Sequence, residues 1–370
     1  MTLQKPFKVI FLSFALSIFI SIASIGTEPQ AIRYLTDSVI TKYKIPGAAA
    51  AIVTPDSIQT AVSGIIKLGD TTTIKPGAKF HIGSNTKAIT AFMIMKQVEN
   101  GSLKLESTIA ELFPEMKEKI REYYLDKTLS DLLSHHAGIR PFTGGLEVAF
   151  IPKFKGSITE KRRQFAEYVL RLEPVINDTS YSYSNAGISL AASILEKATG
   201  KSWEVLLAET MVSLEIEYCL GFPNKQSTSE PWGHWLEPKG MAALPPNHFY
   251  TLEEVLIPAG DISMSIDNYA EWLQINLNGL NGKAEYLQAE SFKKLHFINN
   301  DYSLGWINIT DTDYGAVTTH DGSAGTFYCH AVVIPAARLA IAVMANAGDD
   351  NTMNGLYELR DRLIKKFHGK

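Results

Sequence analysis

The chain has 370 residues, of which 45% are hydrophobic, enough to bury one large core or two modest ones. Its 35 basic and 39 acidic side chains give a net charge of -4. That balance supplies no broad basic face to neutralise phosphates, so nucleic acid is not an expected partner.

In chain order, Lys5 and Lys8 precede the apolar run "VIFLSFALSIFISIASIG", and the first acidic residue is Glu28. A charged start, an apolar middle and a small-residue end form the pattern of a secretory leader. Residues 1–26 are therefore expected to be a signal peptide, and the protein to be exported to the periplasm or beyond the cell. The run is nearly long enough to span a bilayer, which leaves an uncleaved anchor as the alternative and the only expected membrane contact.

Next, "AIRYLTDSVITKYKI" puts Ile32, Leu35, Val39 and Ile40 on one helical face. In "PGAAAAIVTPDSIQTAVSGIIK" two β-prone runs flank Pro55 and Asp56, which predicts a hairpin. "FHIGSNTKAIT" then opens an apolar helix running to about Asn100, with Gly101 placed to close it. From 105 to 245 the pattern is helical and rich in loops; "EKRRQFAEYVLRL" and "NAGISLAASILEKATG" show the 3.6-residue period, the latter closed by Gly200. "SIDNYAEWLQINLNG" adds a helix with Ser265 as its N-cap. Strands return around "GAVTTHDG", "TFYCHAVVIP" and "RLAIAVMANA", and "MNGLYELRDRLIKKF" is a last amphipathic helix.

Strands at both ends and helices between them predict an α/β plus all-α architecture. Residues 27–104 and 246–370 would build the α/β domain, 105–245 a mostly helical insert, and the site would lie in the cleft between them.

Three polar constellations stand out. Ser84 and Lys87 lie one helical turn apart at a helix start, so the amine reaches the hydroxyl and the helix N-terminus disfavours a protonated lysine. The spacing alone is weak, since Ser291 and Lys294 repeat it in "SFKKL". In "YSYSNAGI", Tyr183 and Asn185 flank Ser184 at another helix start; neighbouring cations would lower the phenol's pKa, and the amide would bridge Lys87 and a substrate. In "TTHDGSAGTF", His320 would face the cleft, Gly322 would let a ligand approach the backbone, and the Ser323 N–H would point at an oxyanion. Each is compatible with ordinary capping or packing when taken alone.

In this order the three elements resemble those of the penicillin-recognising serine hydrolases: serine β-lactamases, D-alanyl-D-alanine carboxypeptidases, D-aminopeptidases and esterases. The Tyr-x-Asn form is similar to that of the class C β-lactamase-like branch. "LLSHHAGI", "PAGDISMSIDNYAEWL", "YSLGW" and "IAVMANA" extend the likeness over roughly residues 30 to 365. The resemblance implies an antiparallel sheet flanked by helices, Ser84 as acylated nucleophile, Lys87 as base or proton relay and Tyr183 as the group that protonates the leaving group. It further implies Asn185 as acyl-side-chain ligand, His320 in the third motif, and the N–H groups of Ser84 and Ser323 as the oxyanion hole. No cofactor is implied. Oligomeric state is not indicated.

One departure matters: "HDG" stands where class C enzymes have Lys-Thr-Gly. A histidine with pKa near 6.5 is only partly charged at neutral pH, so weak β-lactam hydrolysis is expected, along with anion binding that fades as pH rises through about 6.5. The expected substrate is an amide or ester: a D-amino-acid peptide, a β-lactam or a small ester. The alternative is a non-catalytic member that binds cell-wall peptide or protein in the same cleft. One of His135 and His136 is expected to buttress the cleft floor. Trp232, His234 and Trp235 are expected either to line its entrance or to pack as a surface cluster. Nine histidines without a metal-binding spacing give no reason to expect zinc. Cys219 and Cys329 are read as unpaired buried thiols, with a disulfide as the alternative.

Overall fold

The computed structural model describes residues 28–178, 181–283 and 285–368; the leader segment lies outside them. Helix α1 (Glu28–Tyr43) is followed by β1 (Gly47–Thr54) and β2 (Ser57–Gly64), which pair antiparallel with Thr54 opposite Ser57 across the Pro55-Asp56 turn. Strand β3 (Lys79–His81) leads through a single 3-10 turn, Gly83–Asn85, into α2 (Thr86–Glu99). Three longer helices then follow, α3 (Ile158–Val169), α4 (Asn185–Thr199) and α5 (Trp203–Leu214). Beyond them come β4 (Cys219–Leu220), the hairpin β5 (His234–Glu237) with β6 (Gly240–Ala243), β7 (Ile262–Ser265), α6 (Ile266–Leu280) and α7 (Ala289–Phe297). The chain ends with β8 (Ile307–Ile309), β9 (Val317–Ser323), β10 (Tyr328–Ile334), β11 (Leu339–Ala345) and α8 (Asp350–Phe367).

The main sheet has the order β2-β1-β11-β10-β9-β8, with antiparallel neighbours throughout, so the chain's two ends meet at the β1–β11 pair. Strand alternation divides its side chains between two cores. Ala48, Ala50 and Ile52 pack with Ile32 and Val39 of α1 and Leu356, Leu359 and Leu363 of α8. Ala49, Ala51 and Val53 join the larger core with Phe92 and Met95 of α2 and Trp272 and Leu273 of α6. Four alanines in a row leave little side-chain bulk on either face, so helices can approach the sheet closely on both.

Local signals place the helices as expected. Ser265 caps α6 by accepting the Asn268 N–H, and Gly101 (φ +77°) and Gly200 (φ +69°) adopt the left-handed conformation just after α2 and at the end of α4. The segment "STIAELFPEM", within the stretch expected to be helical, forms only one α-turn, Ile109–Leu112, because Pro114 cannot continue it.

The expected insert boundary needs correction. Within 105–245, the part after α5 belongs with the strands: β4 pairs with β7, and His234 of β5 bridges to Ala347. The helical portion therefore closes near Leu214 rather than at 245. Inside it, fully buried Arg162 bonds the carboxylates of Glu196 and Glu204, tying α3 to α4 and α5.

Both cysteines are free, Cys329 buried and Cys219 half-buried. No helix among the described residues is long and apolar enough to cross a membrane. Among those residues, no group of histidine, cysteine and carboxylate side chains is arranged to hold a metal.

Candidate active site

Ser84 occupies the 3-10 turn that feeds α2. Phe80 and Ile82 on either side of His81 are fully buried, so the turn is anchored by core packing on both flanks. Lys87 follows one turn later with no solvent exposure, and its Nζ donates to Ser84 Oγ at 2.9 Å and to the Ala259 carbonyl at 2.8 Å. Burial pushes the Lys87 ammonium well below its ordinary pKa of 10.5. Enclosure thus disfavours the charged form of Lys87 and suits it to take a proton from the hydroxyl it touches.

Tyr183 stands across from this pair. Its ring face lies 4.8 Å from Lys87 Nζ, beside the Ser84 side chain. The expectation that neighbouring cations would lower its pKa is overturned. Burial raises it above 10, because desolvation outweighs the lowering effect of the neighbouring Ser84 side chain. Tyr183 is thus a neutral phenol, a proton donor and carrier rather than a standing phenolate.

The position of Tyr183 is set from behind by His135, in a left-handed conformation (φ +65°). Its carbonyl accepts the Ser182 N–H at 2.8 Å and its Nδ1 accepts the Ser184 N–H at 3.2 Å, clamping the backbone on both sides of Tyr183. The ring packs 4.5 Å from those of Tyr183 and Tyr302. His136 instead turns outward to the Ser134 hydroxyl and the Asp301 carboxylate, both at 3.2 Å.

Asn185 begins α4. Its Nδ2 donates to the Phe142 carbonyl at 3.0 Å, while its buried Oδ1 has no hydrogen-bond partner. The expected bridge to Lys87 is not formed; the Ala259 carbonyl takes that place. The free Oδ1 leaves an acceptor unsatisfied beside Tyr183, as a substrate N–H would require.

The end of β9 closes the other side. A Cβ on Gly322 would stand 1.8 Å from the Ile82 carbonyl oxygen, and one on Gly83 (φ +51°) would stand 2.6 Å from the Ser323 nitrogen. Two glycines therefore let strand and nucleophile turn touch through backbone alone, which brings the Ser323 N–H to the turn carrying Ser84. Strand β8 pairs only with Val317–Thr319, so from His320 onward the outer edge of β9 borders this turn.

His320 itself is 1% exposed. Its Nδ1–H donates to the Asp321 carbonyl at 2.7 Å and its Nε2 accepts the Tyr302 hydroxyl at 2.9 Å. Burial, and secondarily Lys87, push its pKa down to about 4. The expected anion-binding role, fading through pH 6.5, is corrected on these grounds: His320 is neutral there and both its ring nitrogens are engaged inside the protein.

Sequence reasoning missed several supporting groups. His81 Nδ1 accepts the Gly83 N–H at 3.1 Å and its Nε2–H donates to Asp261 at 3.0 Å, so a buried pair holds the nucleophile turn. His81 was visible beside Ser84, but Asp261 lies 180 positions away and no spacing rule links them. Tyr302 and the Ala259 carbonyl escaped for the same reason. Trp235 and Tyr250 pack at 4.8 Å, and the Tyr250 hydroxyl donates to the Ala324 carbonyl at 3.1 Å, placing these aromatics beside the loop that follows β9. Trp232 lies under Lys67, and His234 is buried against the Asn346 carbonyl, so neither lines that rim. Ser291 and Lys294, the second copy of the spacing, fall on α7, away from these groups.

Comparison with known proteins bears on the family and the fold. The family pattern described as beta-lactamase matches residues 30–364. Penicillin-binding protein 4 of Amycolatopsis lactamdurans is 24% identical over 84% of each chain. Unguisins hydrolase ungD of Aspergillus violaceofuscus is 23% identical over 86% of this chain and 62% of its own length, so this chain spans less than two thirds of that relative. Among solved structures, a class C beta lactamase from Rhodobacter sphaeroides superposes with a TM-score of 0.71 at 17% identity, covering 90% of this chain and 99% of that one. SurE gives 0.70 at 22% identity, covering 93% and 76%.

Proposed function

Because this chain belongs to the beta-lactamase family of penicillin-recognising serine hydrolases, we propose that it cleaves an amide or ester through an acyl-enzyme on Ser84. The observation that carries the reading is the 2.9 Å contact between Ser84 Oγ and the Nζ of a fully enclosed Lys87. Lys87, in its amine form, removes the Ser84 proton as Oγ bonds the substrate carbonyl carbon. The oxygen's negative charge rests on the N–H groups of Ser84 and Ser323; one such donor is typically worth about 2.7–4 kcal/mol of barrier. The proton passes through Tyr183 to the leaving nitrogen or oxygen as its bond to carbon breaks. Water then attacks the acyl carbon, Ser84 regains its proton, and the acid departs. The unpartnered Asn185 Oδ1 receives a substrate N–H.

Within this class the candidate substrates are D-amino-acid peptides, β-lactams and small esters, met outside the cytoplasm if the N-terminal segment acts as a leader. A fluorophosphonate should label the protein, and Ser84→Ala should abolish labelling. Turnover of p-nitrophenyl esters that depends on Ser84 would rule out a purely binding role for the cleft.

A further inference from the structure

We propose, resting on the serine-hydrolase reading, that the site selects substrates carrying no charge where they lie along the His320–Ser323 edge, with an apolar group seated against Trp235 and Tyr250. The substrate class is thus neutral esters or amides with aliphatic or aromatic side chains, in preference to those bearing a free carboxylate at that position.

The inference begins with what a substrate bonded to Ser84 would meet. Beyond Thr319 the outer edge of β9 borders the nucleophile turn, so the substrate lies between that edge and Tyr183. The side chains with ionisable groups there are Lys87, Tyr183, His320 and Tyr302, and each is committed internally. Lys87 holds Ser84 and the Ala259 carbonyl, Tyr183 packs its ring 4.8 Å from Lys87 Nζ, and Tyr302 donates to His320, whose other nitrogen bonds the Asp321 carbonyl. Burial favours the uncharged form of all four.

The nearest full charge on the strand has the wrong sign for an anion. Asp321 alternates to the opposite face, where its carboxylate accepts His330 Nδ1–H at 2.8 Å, and Arg360 is spent on His330 Nε2 at 3.1 Å. Two further cations have their donors engaged inside the protein. Arg140 bonds Glu147 at 3.0 Å, and Lys225 donates to the carbonyls of His248 and Tyr250 at 2.7 and 2.9 Å. A carboxylate entering this edge would lose its water without gaining an unengaged counter-charge.

The rim supplies the apolar half. Tyr250 bonds the Ala324 carbonyl, and the Trp235 indole nitrogen would lie 3.7 Å from a Cβ on Gly325, so both rings stand over the loop leaving the edge. Their chain neighbours Leu236 and Phe249 are 67% and 87% exposed.

The test is the second-order rate of Ser84 labelling by matched fluorophosphonates: a short alkyl chain, and the same chain ending in a carboxylate. The proposal expects the neutral probe to react at least tenfold faster at pH 7. Equal rates, or a faster anionic probe, would overturn it. Absence of Ser84-dependent labelling by either probe would remove the serine-hydrolase reading itself, a different failure with a different signature. For the rim, Trp235→Ala should narrow the rate advantage of a hexyl over an ethyl probe at least threefold. An unchanged ratio would take Trp235 out of the substrate site.

Discussion

Lys87 Nζ lies 2.9 Å from Ser84 Oγ inside a pocket that leaves the lysine no contact with solvent. Removing the amine while keeping the shape, as in Lys87→Met, should therefore lower Ser84 acylation by about 10²–10⁴-fold, the usual worth of a positioned general base. Burst kinetics with a p-nitrophenyl ester measures this. Acylation within tenfold of the parent would mean that another group takes the proton.

The same variant should gain stability. The folded-state pKa of Lys87 is depressed below that of the unfolded chain, so the unfolded state binds more protons and burial of the lysine is penalised. That penalty is full below the folded pKa and vanishes as pH rises towards 10.5. Urea unfolding should show Lys87→Met more stable than the parent at pH 7, with the margin shrinking at pH 10; a constant margin would point to packing instead.

His320 gives the opposite end of the pH scale. Its pKa falls from 6.5 unfolded to about 4 folded, so the fold has its full contribution above pH 6.5 and loses it as pH drops towards 4. A shift of that size corresponds to about 3 kcal/mol. His320→Gln, which cannot titrate, should flatten the stability loss between pH 6.5 and 4, though His135 and His296 retain their own share. Substrate affinity should stay level from pH 5.5 to 8, and weakening through 6.5 would restore a cationic His320.

Gly322→Ala should damage activity and fold together. Its Cβ would sit 1.8 Å from the Ile82 carbonyl oxygen, which is backbone and cannot swing away. Overpacking of this kind costs about 1–3 kcal/mol or more, and here the displacement moves the Ser323 N–H away from Ser84. Thermal unfolding and labelling rate should fall in parallel.

His81→Leu should strand the Gly83 N–H and the Asp261 carboxylate inside the core, costing about 1–3 kcal/mol per unsatisfied group. Because His81 acts by holding the turn, kcat should fall while KM changes little. His81→Gln, whose amide can both accept and donate, should recover part of the loss; equal defects in the two variants would reject a hydrogen-bonding role.

What could be read from the sequence follows the range of the forces involved. Caps, turns and periodicity are local, so the hairpin at Pro55-Asp56, the caps at Ser265 and Gly200 and the helix after Ser84 were all legible. The joining of β1 to β11 came only from seeing strand-like runs at both chain ends. Two features were misread because burial decides them. Tyr183 next to a lysine suggests a lowered phenol pKa, yet enclosure reverses the direction. His320 in a polar motif suggests a cation, yet Tyr302, eighteen residues earlier, seals it in the neutral form. The boundary of the helical portion was placed too late because β4, two residues long, carries no period of its own and owes its place to pairing with β7.

The most direct measurement is intact-protein mass spectrometry after reaction with a neutral fluorophosphonate, with peptide mapping of the adduct. A single adduct on Ser84, missing from Ser84→Ala and strongly slowed in Lys87→Met, is the predicted result. An adduct that persists in Ser84→Ala would contradict the acyl-enzyme account.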